Sequence, residues 1–186
     1  MKLNVKPRTE KRKGDTARLR RAGKIPAVIY HKGEAGESII VSSDEFSAGL
    51  RELPKGRLAT TICQLDQEGK SSLKVLVKDI QYHPVSYDVL HLDFEELKDN
   101  TTVKVNVPLV ISGTMDSVGV KQGGMVRQVI RQLRVECLPK DIPSEIEVDV
   151  RNMEIGNVKK LSDLSVSNEV RPLMKLESVA VTMVKR

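Results

Sequence analysis

Arg18 and Arg21 stand three residues apart, with Arg20 between them, in the stretch Ala17-Arg-Leu-Arg-Arg-Ala22. On a helix, residues three apart share a face, so Arg18 and Arg21 point together while Arg20 points elsewhere. A guanidinium meets phosphate oxygens with two parallel N–H donors and also stacks on bases, which a Lys ammonium does not do. Thr16 and the backbone N–H groups at the start of such a helix add donors for a phosphate oxygen. Anion binding is the chemistry these residue types favour. The first 32 residues carry eleven Lys or Arg against two acids, Glu10 and Asp15, a balance of +9 in a chain whose total is +6. Residues 33–186 therefore sum to −3. The positive charge sits at one end, and with so few acids it is not laced by i,i+4 ion pairs. The alternative is a solvated charged face, which is the usual meaning of a charge run.

A second group of polar residues lies at 78–93. Lys78, Gln81, Tyr82, His91 and Asp93 are hydrogen-bonding types on or beside two strand-like segments. An acid is unexpected on a face that meets phosphates, but Asp accepts from base amino groups. A plain exposed sheet face fits the same spacing. His83 and His91 invite a metal or catalytic reading, yet no third ligand stands at a typical spacing and no zinc motif is present. Gly123-Gly124 lacks the Lys-Ser or Lys-Thr of a phosphate loop, and GxGxxG is absent. Cys63 and Cys137 are isolated in apolar stretches and read as two buried thiols in a reducing compartment. No enzyme, metal or cofactor is expected.

The elements that must position these residues are mostly strands. Val and Ile supply much of the apolar content, while the chain has no Trp, three Tyr and two Phe. Residues 1–8 predict a first strand with Leu3 and Val5 on one face, and 9–14 an extended basic loop that includes Lys13. Asp15 or Thr16 is expected to cap a short helix over 17–22, which Gly23 stops and Pro26 cannot continue. Too short to stand alone, it must dock through Ala17, Leu19 or Ala22. Ile25–Tyr30 reads as a core strand, followed by a turn at Gly33 and Gly36 and a strand at 38–41. Ser43 is expected to cap a helix with Phe46, Leu50 and Leu53 on one face, ended by Pro54. Leu58–Leu65 and Leu73–Val77 form a hairpin around 66–69, continued by 78–82, and Val89–Phe94 is the last strand of this half. There His91 and Asp93 face away from Leu90, Leu92 and Phe94.

Around 95–100 the composition turns polar, which suggests two domains, 1–95 and 96–186. In the second, Val103, Val105 and Val107, then Leu133, Val135 and Cys137, then Ile146, Val148 and Val150 alternate with polar residues. Val179–Val184 reads as a closing strand, Gly119, Gly123 and Gly124 as a loop, and 153–164 as a short turn or helix. The N-terminus has no apolar h-region and no run approaches the roughly 20 residues of a membrane span, so the reading places the protein in the cytoplasm. The expected class is mainly β with short helices.

Several segments carry a resemblance. ARLRRAGKIPAVIY at 17–30, VLVKDIQYHP at 75–84 and VLHLDF at 89–94 resemble the bacterial 5S-rRNA-binding ribosomal protein family L-twenty-five. VPLVISG at 107–113, GVKQGGMV at 119–126, LRVECLPKDIPSEIEVDV at 133–150 and MEIG at 153–156 are similar to its long form, also called general stress protein CTC. The resemblance implies a small N-terminal β-barrel on the loop E region of 5S ribosomal RNA, in the central protuberance of the large subunit, and a second β-rich domain. It implies RNA contacts at Arg8 and Lys13 in the loop, and at Thr16, Arg18, Arg20 and Arg21 at the helix. Further contacts would be Tyr30, Gln81, His91 and Asp93, with Lys78 beside them from the polar-face reading. The chain departs from the family at His31, where Gly is common, at Tyr82, where a basic residue is common, and at Asp15 in a loop usually rich in Gly and Lys. The expected partners are 5S ribosomal RNA and the large subunit, with neighbouring ribosomal proteins possible through the second domain. With few aromatics, base stacking is not the main expected mode. Two other classes stay open on the residues alone. One is an adaptor whose basic arm meets acidic protein or anionic lipid, and the other is an enzyme using His83 or His91.

Overall fold

The structure is a computed structural model that describes residues 1–8, 13–30, 35–67, 72–167 and 169–185, with the backbone alone described at Lys13. The chain forms two compact units, Met1–Lys98 and Asp99–Arg186. Most of the expected basic loop, Thr9–Arg12, lies outside the described residues, as do His31, Gly33 and the tip of the 66–69 hairpin.

Six strands close the first unit into a barrel: β1 (Lys2–Pro7), β2 (Lys24–Tyr30), β3 (Glu37–Ser42), β4 (Ile62–Gln67), β5 (Leu73–Tyr82) and β6 (Val89–Glu96). The order around the barrel is β1-β3-β2-β6-β5-β4, and β4 pairs back onto β1. Two of the seams are parallel, β1 with β4 and β2 with β6. Period-two alternation explains which side chains fill it. Leu3 and Val5, Ile39 and Val41, Cys63 and Leu65, and Leu92 and Phe94 all point inward and are buried. β6 runs to Glu96, so the polar run expected as a junction begins inside a strand. Burial pushes the Cys63 thiol up to about 11, which keeps it an apolar filler of the barrel.

Two helices sit on the barrel. The first, α1, spans Lys13–Arg21 and so begins earlier than the sequence suggests. Lys13 opens the helix rather than belonging to the loop, and Asp15 and Thr16 lie in its first turn rather than at the cap. An acid in the first turn is favourable against the helix dipole, which lets the helix extend backwards. Leu19 is half-buried, while Ala17 and Ala22 are exposed, so Leu19 alone of the three expected contacts turns inward. Gly23 ends the helix with φ 69° and its N–H donates to Arg20 O at 3.1 Å. Its own carbonyl accepts the Ser43 N–H at 2.9 Å, which ties the end of α1 to the start of α2 (Ser43–Glu52). A left-handed residue with a side chain costs about 1–2 kcal/mol. Gly23→Ala is therefore expected to lower stability by that amount, read from the urea midpoint of the whole chain. The cap residue of α2 is Ser42 rather than Ser43, and its side chain makes no capping bond. Phe46 is fully buried and anchors that helix to the barrel core. Leu58–Thr60 is a 3-10 turn, not the start of a strand, because the Thr60 N–H and both threonine hydroxyls, of Thr60 and Thr61, bond back to the Arg57 carbonyl, and the Thr61 N–H to Leu58 O.

The second unit holds two sheets around one core. β7 (Val103–Ser112), β9 (Gln132–Cys137), β10 (Ile146–Asp149) and β12 (Arg171–Pro172) form one, in the order β10-β7-β9-β12. β8 (Gly124–Gln128), β11 (Val158–Lys160) and β13 (Val179–Lys185) form the other, in the order β11-β13-β8. The segment expected as a glycine loop contains a one-turn helix, α3 (Val118–Lys121). Gly119 is buried there by contact rather than by conformation. A Cβ on it would meet Met183 Cγ at 2.8 Å and Met153 O at 2.9 Å. Residues 153–164 include β11 and a 3-10 turn at Leu161–Asp163.

Candidate nucleic-acid interface

The sheet half of the site is built on β6 and its two neighbours. His91 and Asp93 project outward from β6, one step apart in the pleat, between Leu92 and Phe94, which fill the core. On β5, Gln81 stands opposite His91 and Asp79 opposite Asp93. On β2, Val28 stands opposite Asp93 and Tyr30 opposite Glu95. Strands more than sixty residues apart in sequence thus place Tyr30, Gln81, His91 and Asp93 on one outer face.

Asp93 is the hub of that face. Its Oδ1 lies 2.7 Å from His91 Nδ1, and its Oδ2 accepts the Tyr30 hydroxyl at 3.2 Å. Both oxygens thus lie against neighbouring side chains. Asp93 is therefore placed to orient its neighbours, and a carboxylate with about four acceptor sites keeps room for a further donor. The short contact to Nδ1 holds the His91 ring beside the carboxylate. Burial, the Asp93 charge and the hydrogen bond to it raise the Tyr30 phenol above its ordinary value, so it stays a donor at neutral pH.

The pairing of β5 with β6 slips between Val77 and Asp79, so Lys78 is the extra residue of a bulge. Freed from the pleat, Lys78 reaches Glu95, with Nζ 2.6 Å from Oε2. Its charge is thus balanced locally. The sheet face as a whole offers hydrogen-bonding groups more than net positive charge.

The cations come from the helix. Arg18, Arg20 and Arg21 are all exposed, and Thr16 is half-buried in the first turn. Arg20 donates its Nε–H to Leu90 O on β6 at 3.1 Å. That bond joins helix and sheet into one surface and fixes Arg20 beside the polar strip. Arg21 Nε reaches back to Ala17 O at 3.4 Å, a long contact that holds it loosely along the helix. Arg8 follows β1, with its N–H on Ser38 O at 2.9 Å and its side chain half-buried. Arg20, Tyr30, Gln81, His91 and Asp93 are thus joined through β6, and Lys78 through Glu95. Arg8 is not joined to that group by any described contact, and the side chain of Lys13 lies outside the described residues. Sequence spacing had not drawn attention to Asp79 and Glu95; the pleat of β5 and β6 would have placed them had the bulge at Lys78 been visible.

The site has no resemblance to a catalytic centre. His83 Nδ1 accepts the Ser86 N–H at 3.1 Å and so serves its own turn. Among the described residues, no three His, Cys, Asp or Glu side chains gather as a metal group, and no helix is long and apolar enough to cross a membrane.

Residues 3–94 match the family model described as Ribosomal L25p family, and residues 102–186 match that described as Ribosomal protein TL5, C-terminal domain. The large ribosomal subunit protein bL25 of Chlamydia trachomatis serovar L2 is 46% identical over 186 residues, covering the whole of both chains. This chain belongs to the bacterial bL25 family. The bL25 proteins of Chlamydia abortus and Chlamydia pneumoniae are 46% and 41% identical, again over the full length of each. The two family models divide this bL25-family chain in the same region as its two compact units, and together they make it the long form. The strand-rich architecture, with a closed barrel first and a β-rich unit second, is that of the family.

Proposed function

We propose that this chain binds 5S ribosomal RNA, at its loop E region in the central protuberance, through the face formed by α1 and strands β5, β6 and β2. The family is one of structural proteins of the large ribosomal subunit in the bacterial cytoplasm, not of enzymes. The observation that carries the finer reading is the composite of an arginine helix and a polar, internally ordered sheet strip, joined by the Arg20 bond to Leu90. Arg18, Arg20 and Arg21 meet phosphates, with Arg8, Lys13 and Thr16 extending that contact. Tyr30, Gln81 and His91 meet base edges or 2′-hydroxyls, and Asp93 and Lys78 hold the strip in shape.

The chemistry suits structured RNA. Regular A-form RNA hides its base edges in a deep groove, and an internal loop of non-standard pairs opens them. A rigid sheet strip reads such a shape better than a single strand would. Neighbouring ribosomal proteins are the partners left to the second unit.

The test compares 5S rRNA with transfer RNA in filter-binding titrations at several salt concentrations. Neutralising about six phosphates makes affinity fall roughly 10³-fold between 50 and 200 mM salt. That slope, with a clear preference for 5S rRNA at each salt, is the expected result. Equal affinity for the two RNAs would leave only a generic cationic surface.

A further inference from the structure

A cleft of about 380 Å³ opens between the C-terminal end of α1 and the turn that joins β5 to β6. One wall carries two cations, Arg20 and Lys24. Among the described residues the bond given for Arg20 is that of its Nε–H to Leu90 O, and its guanidinium lines the cleft. Lys24 is exposed at the first residue of β2.

The other wall is the 83–88 turn, and it is unusually well ordered. The His83 N–H donates to Asp88 O at 2.8 Å, and the Tyr87 N–H to His83 O at 2.9 Å. His83 Nδ1 accepts the Ser86 N–H, and the Ser86 hydroxyl donates to Asp88 Oδ2 at 2.6 Å. Tyr87 has φ 60°, a left-handed conformation that is strained for a bulky residue. Its side chain is 76% exposed, so packing in the free protein does not repay that strain. The hydrogen bonds of the turn hold it in this shape against that strain, with Ser86 and Asp88 lining the cleft. Among the described residues no ion pair joins Asp88 to Arg20 or Lys24. The cleft therefore presents cations on one wall and an unneutralised carboxylate on the other.

We propose that this cleft holds one unstacked nucleotide, its phosphate on Arg20 and Lys24 and its base amino group on Asp88. The match is dipolar: a nucleotide is negative at the phosphate and carries donors at the base edge. Cytosine N4 and guanine N2 are amino donors, as is adenine N6, whereas uracil has no amino group. The inference rests on the RNA reading of the neighbouring face, since Arg20 belongs to both. It adds Lys24, Ser86 and Asp88 to the contacts, and it assigns a base preference.

The test uses the full chain with 5S rRNA, and separately with free CMP and UMP. Charge alone says that removing a carboxylate near phosphates tightens RNA binding. The cleft makes the opposite demand: Asp88→Asn weakens binding of 5S rRNA by about 5- to 30-fold, and Lys24→Gln by a similar factor. A cytosine, guanine or adenine protected from chemical modification by the wild-type chain becomes reactive with either variant. Unchanged or tighter binding by Asp88→Asn, with its urea midpoint intact, overturns the cleft; if that variant unfolds, Lys24→Gln decides alone in the same way. Failure of the wild-type chain to bind 5S rRNA would instead overturn the functional reading, and the cleft with it. In the nucleotide arm, CMP bound in preference to UMP and displaced by 5S rRNA supports the assignment. CMP that 5S rRNA does not displace would give the cleft to a free nucleotide and overturn its RNA role.

Discussion

Asp93→Ala is expected to weaken binding of the whole chain to 5S rRNA by about 1–3 kcal/mol, roughly 5- to 150-fold, although it removes a negative charge from a surface proposed to meet phosphates. The reason is geometric. Asp93 accepts the Tyr30 hydroxyl and lies beside His91 Nδ1, so its loss frees two rings from the orientation in which they are proposed to meet RNA. Residues that act as one unit are not additive. Adding His91→Ala to Asp93→Ala should therefore cost much less than the sum of the two single losses. Tyr30→Phe, which removes only one of the two contacts, should fall between wild type and Asp93→Ala. Affinities of the four variants by titration at one fixed salt would show this pattern. Tighter binding by Asp93→Ala would mean that the carboxylate acts through its charge and orients nothing.

The second large effect is on stability. Phe94 follows Asp93 on β6 and points the other way, into the barrel, where it is fully buried against residues of β2 and β5. Phe94→Ala is expected to cost about 3–5 kcal/mol, through lost burial and the cavity left behind. A domain holds only about 5–15 kcal/mol in total, so the barrel would be largely or wholly destabilised at 37 °C. Urea unfolding followed by far-UV circular dichroism measures the loss. A change below about 1 kcal/mol would contradict the close packing of Phe94 against its neighbours. Asp93 and Phe94 are adjacent in sequence, yet one substitution is expected to strike recognition and the other the fold, because the pleat sends them to opposite faces.

That pleat is also why much of the molecule was legible in the sequence. Leu3 and Val5, Leu92 and Phe94, Val103, Val105 and Val107, and Leu133, Val135 and Cys137 alternate with polar neighbours, and the structure buries each of them. Gly23 and Pro54 marked helix ends for local steric reasons. What alternation cannot give is which strands meet. The parallel return of β4 onto β1 closes the barrel, and the parallel pairing of β2 with β6 brings Tyr30 to Asp93, and neither has a local signature. The same limit hid the neighbours of Asp93. Its residue type suggested a base acceptor, and only three-dimensional contact shows Tyr30 and His91 gathered at its oxygens. Bulges are equally silent, so the ion pair of Lys78 with Glu95 beside the polar strip was not legible. At Lys13 the basic composition argued for an extended loop, but an acid in the first turn and good helix formers beyond it carry α1 further back. Gly119 read as a chain breaker, whereas it is needed for the close approach of α3 to Met153 and Met183.

The family places the chain in the large ribosomal subunit, and 5S rRNA is the proposed partner of its first unit. The first carries the arginine helix and the ordered polar strip. The most direct test is a gel-shift titration of 5S rRNA with two fragments, residues 1–98 and residues 99–186. The first fragment is expected to bind 5S rRNA in preference to transfer RNA and with nearly the affinity of the whole chain, while the second gives no shift in the same range. Binding confined to residues 99–186 would contradict the account at its centre.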